Sequence, residues 1–365
     1  MATKKDNNHF KNNQFIRLAF EQAKINLGST GQNPSVGCVV ERNGAVISSG
    51  RTSINGRPHA EFNALKKLKK IKDLNIYLSL EPCSHYGITP PCTNLIIKNK
   101  IKKVFFSLND VDKRSSRKSY SLLKKKKIFV KGKILEKYAK NFYKSYILNK
   151  LKKKSLIDAK LAISKDFYSI NKKSKWITNS YSRNRVHLLR SKYDCIITTS
   201  KTINKDNSML DCRIVGLDHK SPAIFIIDRY FKIKTYLKIF KKLKRPIYLI
   251  TSLINQKKEK NLKKRGVKII RINDENDFIF IKQSFYKINN LGFSRLFVES
   301  GLIFLSFLLK NKFINNIYIF QSKMKLKNKG YNNISNKLIK SVKLKNKIKV
   351  NLNGDQMYKI FLKNV

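Results

Sequence analysis

Two short segments of this 365-residue chain carry one imidazole, one carboxylate and two thiols that can converge on a metal ion. His59 and Glu61 lie in the first segment, and Cys83 and Cys92 lie in the second with eight residues between them. A catalytic zinc site takes three protein ligands and keeps one position for water, and His59, Cys83 and Cys92 supply that number. Any fold of this chain must therefore bring residues 59–61 and 81–92 to one point.

Glu61 is left free to carry protons in such a site. Residues two apart on a helix do not face each other, so His59 and Glu61 can converge only on a point beyond a helix end. Zinc lowers the pKa of its bound water to about 7, and Glu61 could then take a proton from that water and return it to a leaving amine. The alternatives are two buried cysteines without metal, or a closed structural zinc site, for which His85 is the local fourth ligand.

A proline precedes each of the two cysteines. Pro82 and Pro91 are suited to the first turn of a helix. A thiol at a helix N-terminus has a lowered pKa, which favours the thiolate that binds zinc. We therefore expect both Cys83 and Cys92 to lie near helix starts.

Apolar periodicity predicts alternating helices and strands in the first half of the chain. Helices are expected over 14–27, over 59–68 and from residue 93, after a polar, frayed start over 1–13. Strands are expected over 75–80 and 103–108, with a hairpin over 36–47 that turns at Asn43-Gly44. This alternation predicts a three-layer α/β/α domain over residues 10–148.

The lysine run over 150–154 marks the boundary to a second, different α/β domain over residues 155–365. A helix is predicted over 182–192, and the C-terminal third is predicted to be rich in strands. The individual strands are predicted over 155–163, 195–199, 223–228, 246–251, 266–272 and 294–299.

The net charge of the chain, taken alone, would indicate a nucleic-acid partner. It has 80 Lys and Arg against 22 Asp and Glu, a formal net charge of +58. Phosphate neutralisation drives nucleic-acid binding, but the excess is mostly lysine, runs the whole length and accompanies abundant Asn and Ile. A genome of AT-rich codons produces the same spectrum. We therefore predict no specific nucleic-acid partner.

The remaining bulk features predict a cytoplasmic protein. Five scattered cysteines are too few for a disulfide framework in a chain of this length. The start is polar, and no apolar run approaches the ~18 residues that span a bilayer, so no membrane partner is predicted. A homo-oligomer is left open.

The motifs around the cysteines resemble those of a known family. Deaminases that edit nucleobases close their zinc motif as Pro-Cys-x-x-Cys, which this chain lacks. Glu81 to His85, Gly87, Thr89 to Cys92 and the upstream Asn33 to Cys38 resemble the deaminase half of the bifunctional riboflavin-biosynthesis deaminase/reductases. The resemblance implies a cytidine-deaminase-like fold, one Zn²⁺ per chain, and hydrolytic deamination of 2,5-diamino-6-(5-phosphoribosylamino)pyrimidin-4(3H)-one. It also places Asn33 and His85 in the substrate pocket.

The second half resembles the reductase half of the same family over 160–164, 174–178, 202–213 and 298–301. The resemblance implies a dihydrofolate-reductase-like α/β fold and NADPH-dependent reduction of the ribose of 5-amino-6-(5-phosphoribosylamino)uracil to a ribityl chain. The residues that it places at NADPH are Ala162, Trp176, Thr202, Asp206 and Gly301. Those that it places at the substrate are Ser174, Arg190, Leu210, Arg213 and Glu299.

Some positions depart from the family pattern. Ile88 stands where a basic residue is common, and Phe167 stands where a glycine is usual. Arg114, Arg117 and Lys118 are candidates for replacement charge, and we expect a slow or marginally stable enzyme. Two alternatives to the bifunctional enzyme are a deaminase whose second domain is only structural and a basic nucleic-acid deaminase.

Overall fold

The chain divides after residue 154 into two units, Met1–Lys154 and Ser155–Val365, and each has its own sheet in the computed structural model. The structure describes residues 4–66, 68, 71–241, 244–274, 276–334, 344 and 346–362. Among these residues, no helix combines the length and the apolar character that crossing a membrane requires.

A five-stranded sheet forms the centre of the first unit, in the order β2-β1-β3-β4-β5. The strands are β1 (Gly37–Arg42), β2 (Ala45–Arg51), β3 (Asn75–Leu78), β4 (Lys103–Phe106) and β5 (Phe129–Lys131). Strand β1 is antiparallel to both neighbours, whereas β3, β4 and β5 are parallel. The helices are α1 (Lys4–Ile25), α2 (Ala60–Leu65), α3 (Cys92–Lys98), α4 (Lys118–Lys125), α5 (Glu136–Phe142) and α6 (Lys144–Lys152).

Alternate residues of the strands build two separate cores. In β1, Cys38 and Val40 pack with α2, α3 and α4 on one face, while Val39 packs with α1, α5 and α6 on the other. In β3, Ile76 and Tyr77 divide between the faces in the same way. Because both faces of the sheet are covered by helices, the predicted three-layer α/β/α architecture is confirmed.

The predicted hairpin is also present, since Asn43 and Gly44 both adopt the positive φ angles (51° and 92°) of a tight hairpin turn. The largest boundary error in this unit is the start of the first helix. Helix α1 begins at Lys4 and not at residue 14. Residues 4–13 are polar apart from Phe10, so no apolar periodicity marks them, although they belong to a helix that packs on the sheet farther along.

Gly50 on β2 lets α2 approach the sheet closely. A Cβ on Gly50 would lie 2.5 Å from the backbone nitrogen of Ala64 and closer still to the carbonyl oxygen of Ala60. Helix α2 carries Glu61 and follows directly on His59, so this contact sets the position of the predicted proton carrier.

Gly50→Ala is therefore expected to destabilise the protein by about 1–3 kcal/mol, because backbone cannot yield as a flexible side chain does. It is also expected to lower the zinc content that survives dialysis against a chelator. Urea unfolding and metal analysis measure the two effects. The control is Ser49→Ala on the same strand, and equal behaviour of the two variants would contradict the close-packing argument.

An eight-stranded sheet forms the second unit, in the order β11-β10-β9-β8-β12-β6-β13-β15. All neighbours are parallel except β13 and β15. Its strands are β6 (Leu156–Ile163), β8 (Cys195–Thr199), β9 (Ala223–Ile227), β10 (Ile247–Thr251), β11 (Lys268–Arg271), β12 (Arg295–Val298), β13 (Asn316–Gln321) and β15 (Gln356–Phe361), while β7 (Tyr168–Asn171) and β14 (Gly330–Asn333) pair separately. The helices are α7 (Ser180–Arg190), α8 (Ser200–Asp206), α9 (Gln256–Lys264), α10 (Asp277–Asn290) and α11 (Leu302–Lys310).

Helices cover both faces of this sheet as well. Helices α10 and α11 pack on one face, and α7, α8 and α9 pack on the other. The six predicted strands and the helix near 182–192 are present, so the predicted α/β class of the second domain is confirmed. The prediction of a strand-rich C-terminal third is incomplete because it misses α9 and α10. In α9 only Leu262 is buried, so that helix has no apolar stripe.

Buried carboxylates accept hydrogen bonds from loop residues, and in the second unit Asp228 and Asp355 do so. Asp228 accepts hydrogen bonds from the Ser200 hydroxyl at 2.7 Å and from the backbone N–H groups of Lys232 and Ile233 at 2.9 and 2.8 Å. Asp355 joins three further segments. Its donors are the N–H groups of Asn179 and Lys323 and the hydroxyl of Ser182. These acids therefore stabilise the structure as hydrogen-bond acceptors inside it.

Candidate functional site

The structure brings the three predicted zinc ligands together. Nδ1 of His59 lies 3.6 Å from Sγ of Cys83 and 3.4 Å from Sγ of Cys92, and all the ligand atoms lie within 4.8 Å of one another. Zinc bonds of about 2.0–2.1 Å to nitrogen and 2.3 Å to sulfur, at a tetrahedral angle, separate such atoms by roughly 3.5 Å. The spacing therefore fits zinc. In the described part of the chain, no fourth Asp, Glu, His or Cys joins this group.

The local backbone explains the convergence. His59 is the N-cap of α2 and has extended backbone (φ −71°, ψ 163°), so it precedes the helix on which Glu61 lies. Cys92 is the first residue of α3. The expectation that Pro82 lies in the first turn of a helix is wrong, because Pro82 and Cys83 lie in the loop after β3. Cys83 instead reaches the start of α3 from outside, where its sulfur accepts a hydrogen bond from the Cys92 N–H at 3.2 Å.

This arrangement makes the two thiols unequal. The pKa of Cys83 falls to about 4, because the Cys92 thiol donates to its sulfur and His59 and the Cys92 N–H do so as well. The pKa of Cys92 is raised, because of its bond to Cys83 and its burial. The bond to Cys83 in turn raises the pKa of His59. Zinc ligands bind in the deprotonated form, so binding of a metal must displace the proton that the two thiols share.

Glu61 is only 3% exposed and lies beside these ligands. Burial raises the pKa of its carboxyl, and the charge of Cys83 raises it further. A carboxyl group with a raised pKa holds a proton more readily than an exposed one, which is the property that a proton carrier needs near neutral pH.

A second buried acid, Glu81, organises the loop that follows β4. Its carboxylate accepts hydrogen bonds from the N–H groups of Asp110 (2.9 Å) and Arg117 (3.1 Å) and from the Ser119 hydroxyl (2.6 Å). The loop carries Ser115, whose hydroxyl lies 2.6 Å from Nδ1 of His85. His85 is thus held by a residue thirty positions away.

Glu81→Ala is expected to destabilise the protein by about 2–4 kcal/mol, because it leaves two buried N–H groups and one hydroxyl without their acceptor. Glu81→Gln is the matched control, since one amide oxygen can still accept from both N–H groups. We expect the Gln variant to lose clearly less stability in urea unfolding. Equal losses in the two variants would show that the carboxylate does not act as this acceptor.

Other predicted residues of the first unit also have partners. The side-chain amide of Asn33 donates to the carbonyl of Gly56 at 3.2 Å, on the segment that leads to His59. The guanidinium of Arg114 binds both carboxylate oxygens of Asp112 at 3.0 and 2.7 Å, and Lys150 approaches the same carboxylate at 3.2 Å. Arg114 is therefore occupied by an internal acid.

In the second unit, Arg190 and Glu299 form a buried pair. Nε and Nη2 of Arg190 donate to the two carboxylate oxygens of Glu299 at 2.6 and 3.0 Å, and Nη1 donates to the carbonyl of Asp211 at 2.8 Å. Arg213 is more exposed, and its Nε lies 3.1 Å from the Asp211 carboxylate. Leu210 is buried and its carbonyl accepts from Arg245 at 2.9 Å. The structure thus gathers Arg190, Glu299 and Arg213 around residue 211.

The residues predicted at NADPH fall into two groups. Thr202 accepts the N–H of Gly301 at 3.1 Å, which joins the starts of α8 and α11. The second group contains Trp176 and Asp206, which Lys175 connects. Nζ of Lys175 donates to the carbonyl of Asp206 at 3.2 Å and lies 5.4 Å from the ring centre of Trp176.

Two further predicted residues are Ser174, beside Trp176, and Ala162, on strand β6. Trp176 is 49% exposed, and its backbone N–H donates to the Ser174 hydroxyl at 3.2 Å. Ala162 is half-buried on β6, opposite Phe320 of β13. In the first group, the starts of two helices lie beside the Thr202 hydroxyl and Gly301, an arrangement that is chemically compatible with the phosphates of a dinucleotide.

Both halves of the chain match described families. Residues 10–108 match the cytidine and deoxycytidylate deaminase zinc-binding region, and residues 157–326 match the RibD C-terminal domain. The riboflavin biosynthesis protein RibD of Aquifex aeolicus is 32% identical over 309 residues, which cover 84% of this chain and 85% of that protein. The protein of the same name from Buchnera aphidicola is 32% identical over 333 residues, with the same coverage.

Solved structures have the same two-part fold. The Thermotoga maritima diaminohydroxyphosphoribosylaminopyrimidine deaminase/5-amino-6-(5-phosphoribosylamino)uracil reductase superposes with a TM-score of 0.81 at 25% identity, covering 97% of this chain and 99% of that one. Acinetobacter baumannii RibD gives a TM-score of 0.82 at 24% identity, with the same coverage.

Proposed function

Because the chain belongs to the RibD family of riboflavin biosynthesis proteins, which are bifunctional deaminase/reductases, we propose that it catalyses two successive steps. The first is zinc-dependent hydrolytic deamination of 2,5-diamino-6-(5-phosphoribosylamino)pyrimidin-4(3H)-one. The second is NADPH-dependent reduction of the ribose of the resulting 5-amino-6-(5-phosphoribosylamino)uracil. The observation that carries the proposal is the convergence of His59, Cys83 and Cys92 beside a buried Glu61 that is not one of the three ligands.

In the deaminase half, His59, Cys83 and Cys92 would hold one zinc ion, which when bound activates water as a nucleophile at neutral pH. Glu61 accepts a proton from the attacking water and delivers it to the departing amine, so that ammonia leaves as a neutral molecule. Burial supports this role, because it raises the pKa of the Glu61 carboxyl. Asn33 and His85 position the substrate.

In the reductase half, Thr202 and Gly301 would hold the phosphates of NADPH, which when bound supplies the reducing equivalents. Trp176, Asp206 and Ala162 complete the proposed cofactor site. Arg213 is the exposed cation of the proposed substrate set, so it is suited to the substrate phosphate. Glu299 and Arg190 form an ion pair that is bonded to the Asp211 carbonyl, and Ser174 and Leu210 are the remaining proposed substrate contacts.

A coupled assay tests the proposal by scoring ammonia release and NADPH oxidation separately in the zinc-loaded, full-length protein. We expect both signals from the diaminopyrimidine substrate, with NADPH oxidation dependent on prior ammonia release. Ammonia release without NADPH oxidation, even when the deaminated intermediate is supplied, would instead support a deaminase with a structural second domain.

A further inference from the structure

We propose that Arg57, His85 and the space above Gly87 form an oxyanion site that binds the phosphate group of the deaminase substrate. The inference rests on the proposed deaminase function and adds to it the residue that recognises the phosphate. Arg57 is not among the residues that the family resemblance assigns to the site, and it lies two positions before the zinc ligand His59.

The geometry places two nitrogen groups over one glycine. Nη1 of Arg57 donates to the Thr89 hydroxyl at 2.6 Å, which holds the guanidinium against the loop between the two cysteines. A Cβ on Gly87 would lie 3.5 Å from Nη2 of Arg57 and 4.0 Å from Nε2 of His85. The missing side chain of Gly87 therefore leaves a space that both nitrogens approach.

The chemistry of these groups suits a phosphate. Arginine presents a rigid fork of donors that matches phosphate oxygens, and Thr89 occupies only part of it. Nδ1 of His85 is bonded to the Ser115 hydroxyl, so Nε2 is the ring nitrogen that remains for the ligand. Since Ser115 is anchored through Glu81, the imidazole is held in place before the substrate arrives.

The neighbouring residues explain why Arg57 is the cation that we propose for the phosphate. Ile88 is 87% exposed at the tip of the same loop and brings no charge to the position where the family commonly has a basic residue. Arg114 is bound to Asp112 within its own loop. Arg57 therefore supplies positive charge at the loop of residues 85–89.

Two substitutions test the site without disturbing zinc. Arg57→Ala removes the cation, and Gly87→Ala fills the space with a Cβ at ordinary van der Waals distances. For each variant we expect the KM for the phosphorylated substrate to rise about ten- to a hundredfold, because Arg57→Ala removes charge-assisted hydrogen bonds and the added methyl group of Gly87→Ala occupies the space of a phosphate oxygen. The KM for the dephosphorylated nucleoside is expected to stay unchanged, and so is the content of one zinc ion per chain. Arg51→Ala, an equal loss of charge at an exposed arginine bonded to Gln22, is the control and should match the wild type.

Calorimetric titration with ribose 5-phosphate and with ribose separates this proposal from the proposed function, provided that all the proteins compared carry Arg213→Ala, which removes the phosphate contact proposed in the second unit. We expect Arg57→Ala and Gly87→Ala to weaken binding of ribose 5-phosphate, whereas Arg51→Ala does not. The comparison remains decisive even if the wild-type protein releases no ammonia. Unchanged binding in both variants, or an equal rise in KM with and without the phosphate, would overturn the oxyanion site.

Discussion

Glu61→Gln is expected to lower ammonia release by about 10²–10⁴-fold while the protein keeps one zinc ion per chain. The amide has the volume of the carboxyl group but cannot accept and return a proton. Since His59, Cys83 and Cys92 are a complete ligand set without Glu61, the metal should remain bound. Metal analysis and a direct ammonia assay of the same preparation measure the two quantities.

The design includes an internal control and an external one. NADPH oxidation with the deaminated intermediate should be unchanged in Glu61→Gln, because the second unit contains its own candidate site. Glu21→Gln, at an acid on α1 paired with Lys24, should retain full ammonia release. Loss of zinc from Glu61→Gln would mean that Glu61 supports the structure of the site, and the proton-carrier mechanism would then be wrong.

Glu299→Ala is expected to destabilise the second unit by about 3–5 kcal/mol and to abolish NADPH oxidation. The substitution leaves the Arg190 guanidinium buried without its counter-charge, which costs far more than an exposed ion pair is worth. Ammonia release should persist at temperatures at which the second unit is still folded. Urea unfolding gives the free energy, and the two assays give the activities.

A double variant separates stability from function. Arg190→Met with Glu299→Leu replaces the pair by apolar side chains of similar size, and such replacements are often neutral or stabilising. We expect it to recover most of the lost stability but no NADPH oxidation. Full oxidation in the double variant would show that the pair is structural only.

The pH dependence of the pair has a defined sign. Burial alone would raise the pKa of Glu299, but the charge and hydrogen bonds of Arg190 lower it below its usual value. A carboxyl with a lowered pKa in the folded protein contributes stability above its unfolded pKa of about 4.3. That contribution disappears as the pH falls through the lowered folded value, and in Glu299→Ala this part of the acid sensitivity should be absent.

Much of the fold follows from local patterns in the sequence. Buried strands such as β8 (Cys195–Thr199) are short apolar runs, and the prediction for that strand has the right bounds. The elements that the prediction misses include two polar segments and one apolar helix, α10 (Asp277–Asn290), which buries Phe280, Ile281, Phe285 and Ile288. The start of α1 is polar in sequence apart from Phe10, and α9 buries only Leu262, so apolar periodicity marks neither segment as a helix.

The candidate site divides in a similar way. The convergence of His59, Cys83 and Cys92 could be predicted because these residue types at this spacing are typical of one kind of metal site. The contact between His85 and Ser115, and the closing of Arg190 on Glu299, join residues far apart in the chain through hydrogen bonds. No periodicity encodes such pairs. The prediction of a helix start at Pro82 is wrong because a proline suits a loop as well as a helix start, and the sequence does not distinguish between the two.

The buried carboxylates suggest how a chain can become so basic and still fold. Lysine has hydrogen donors only, so it cannot replace an acid that accepts backbone N–H groups, as Glu81, Asp228 and Asp355 do. Mutational drift towards lysine can therefore proceed over the surface but is stopped at these positions. Some of the 22 acids of the chain therefore cannot be lost to mutational drift, because the fold requires them as hydrogen-bond acceptors. The fold thus sets an upper limit on the ratio of basic to acidic residues.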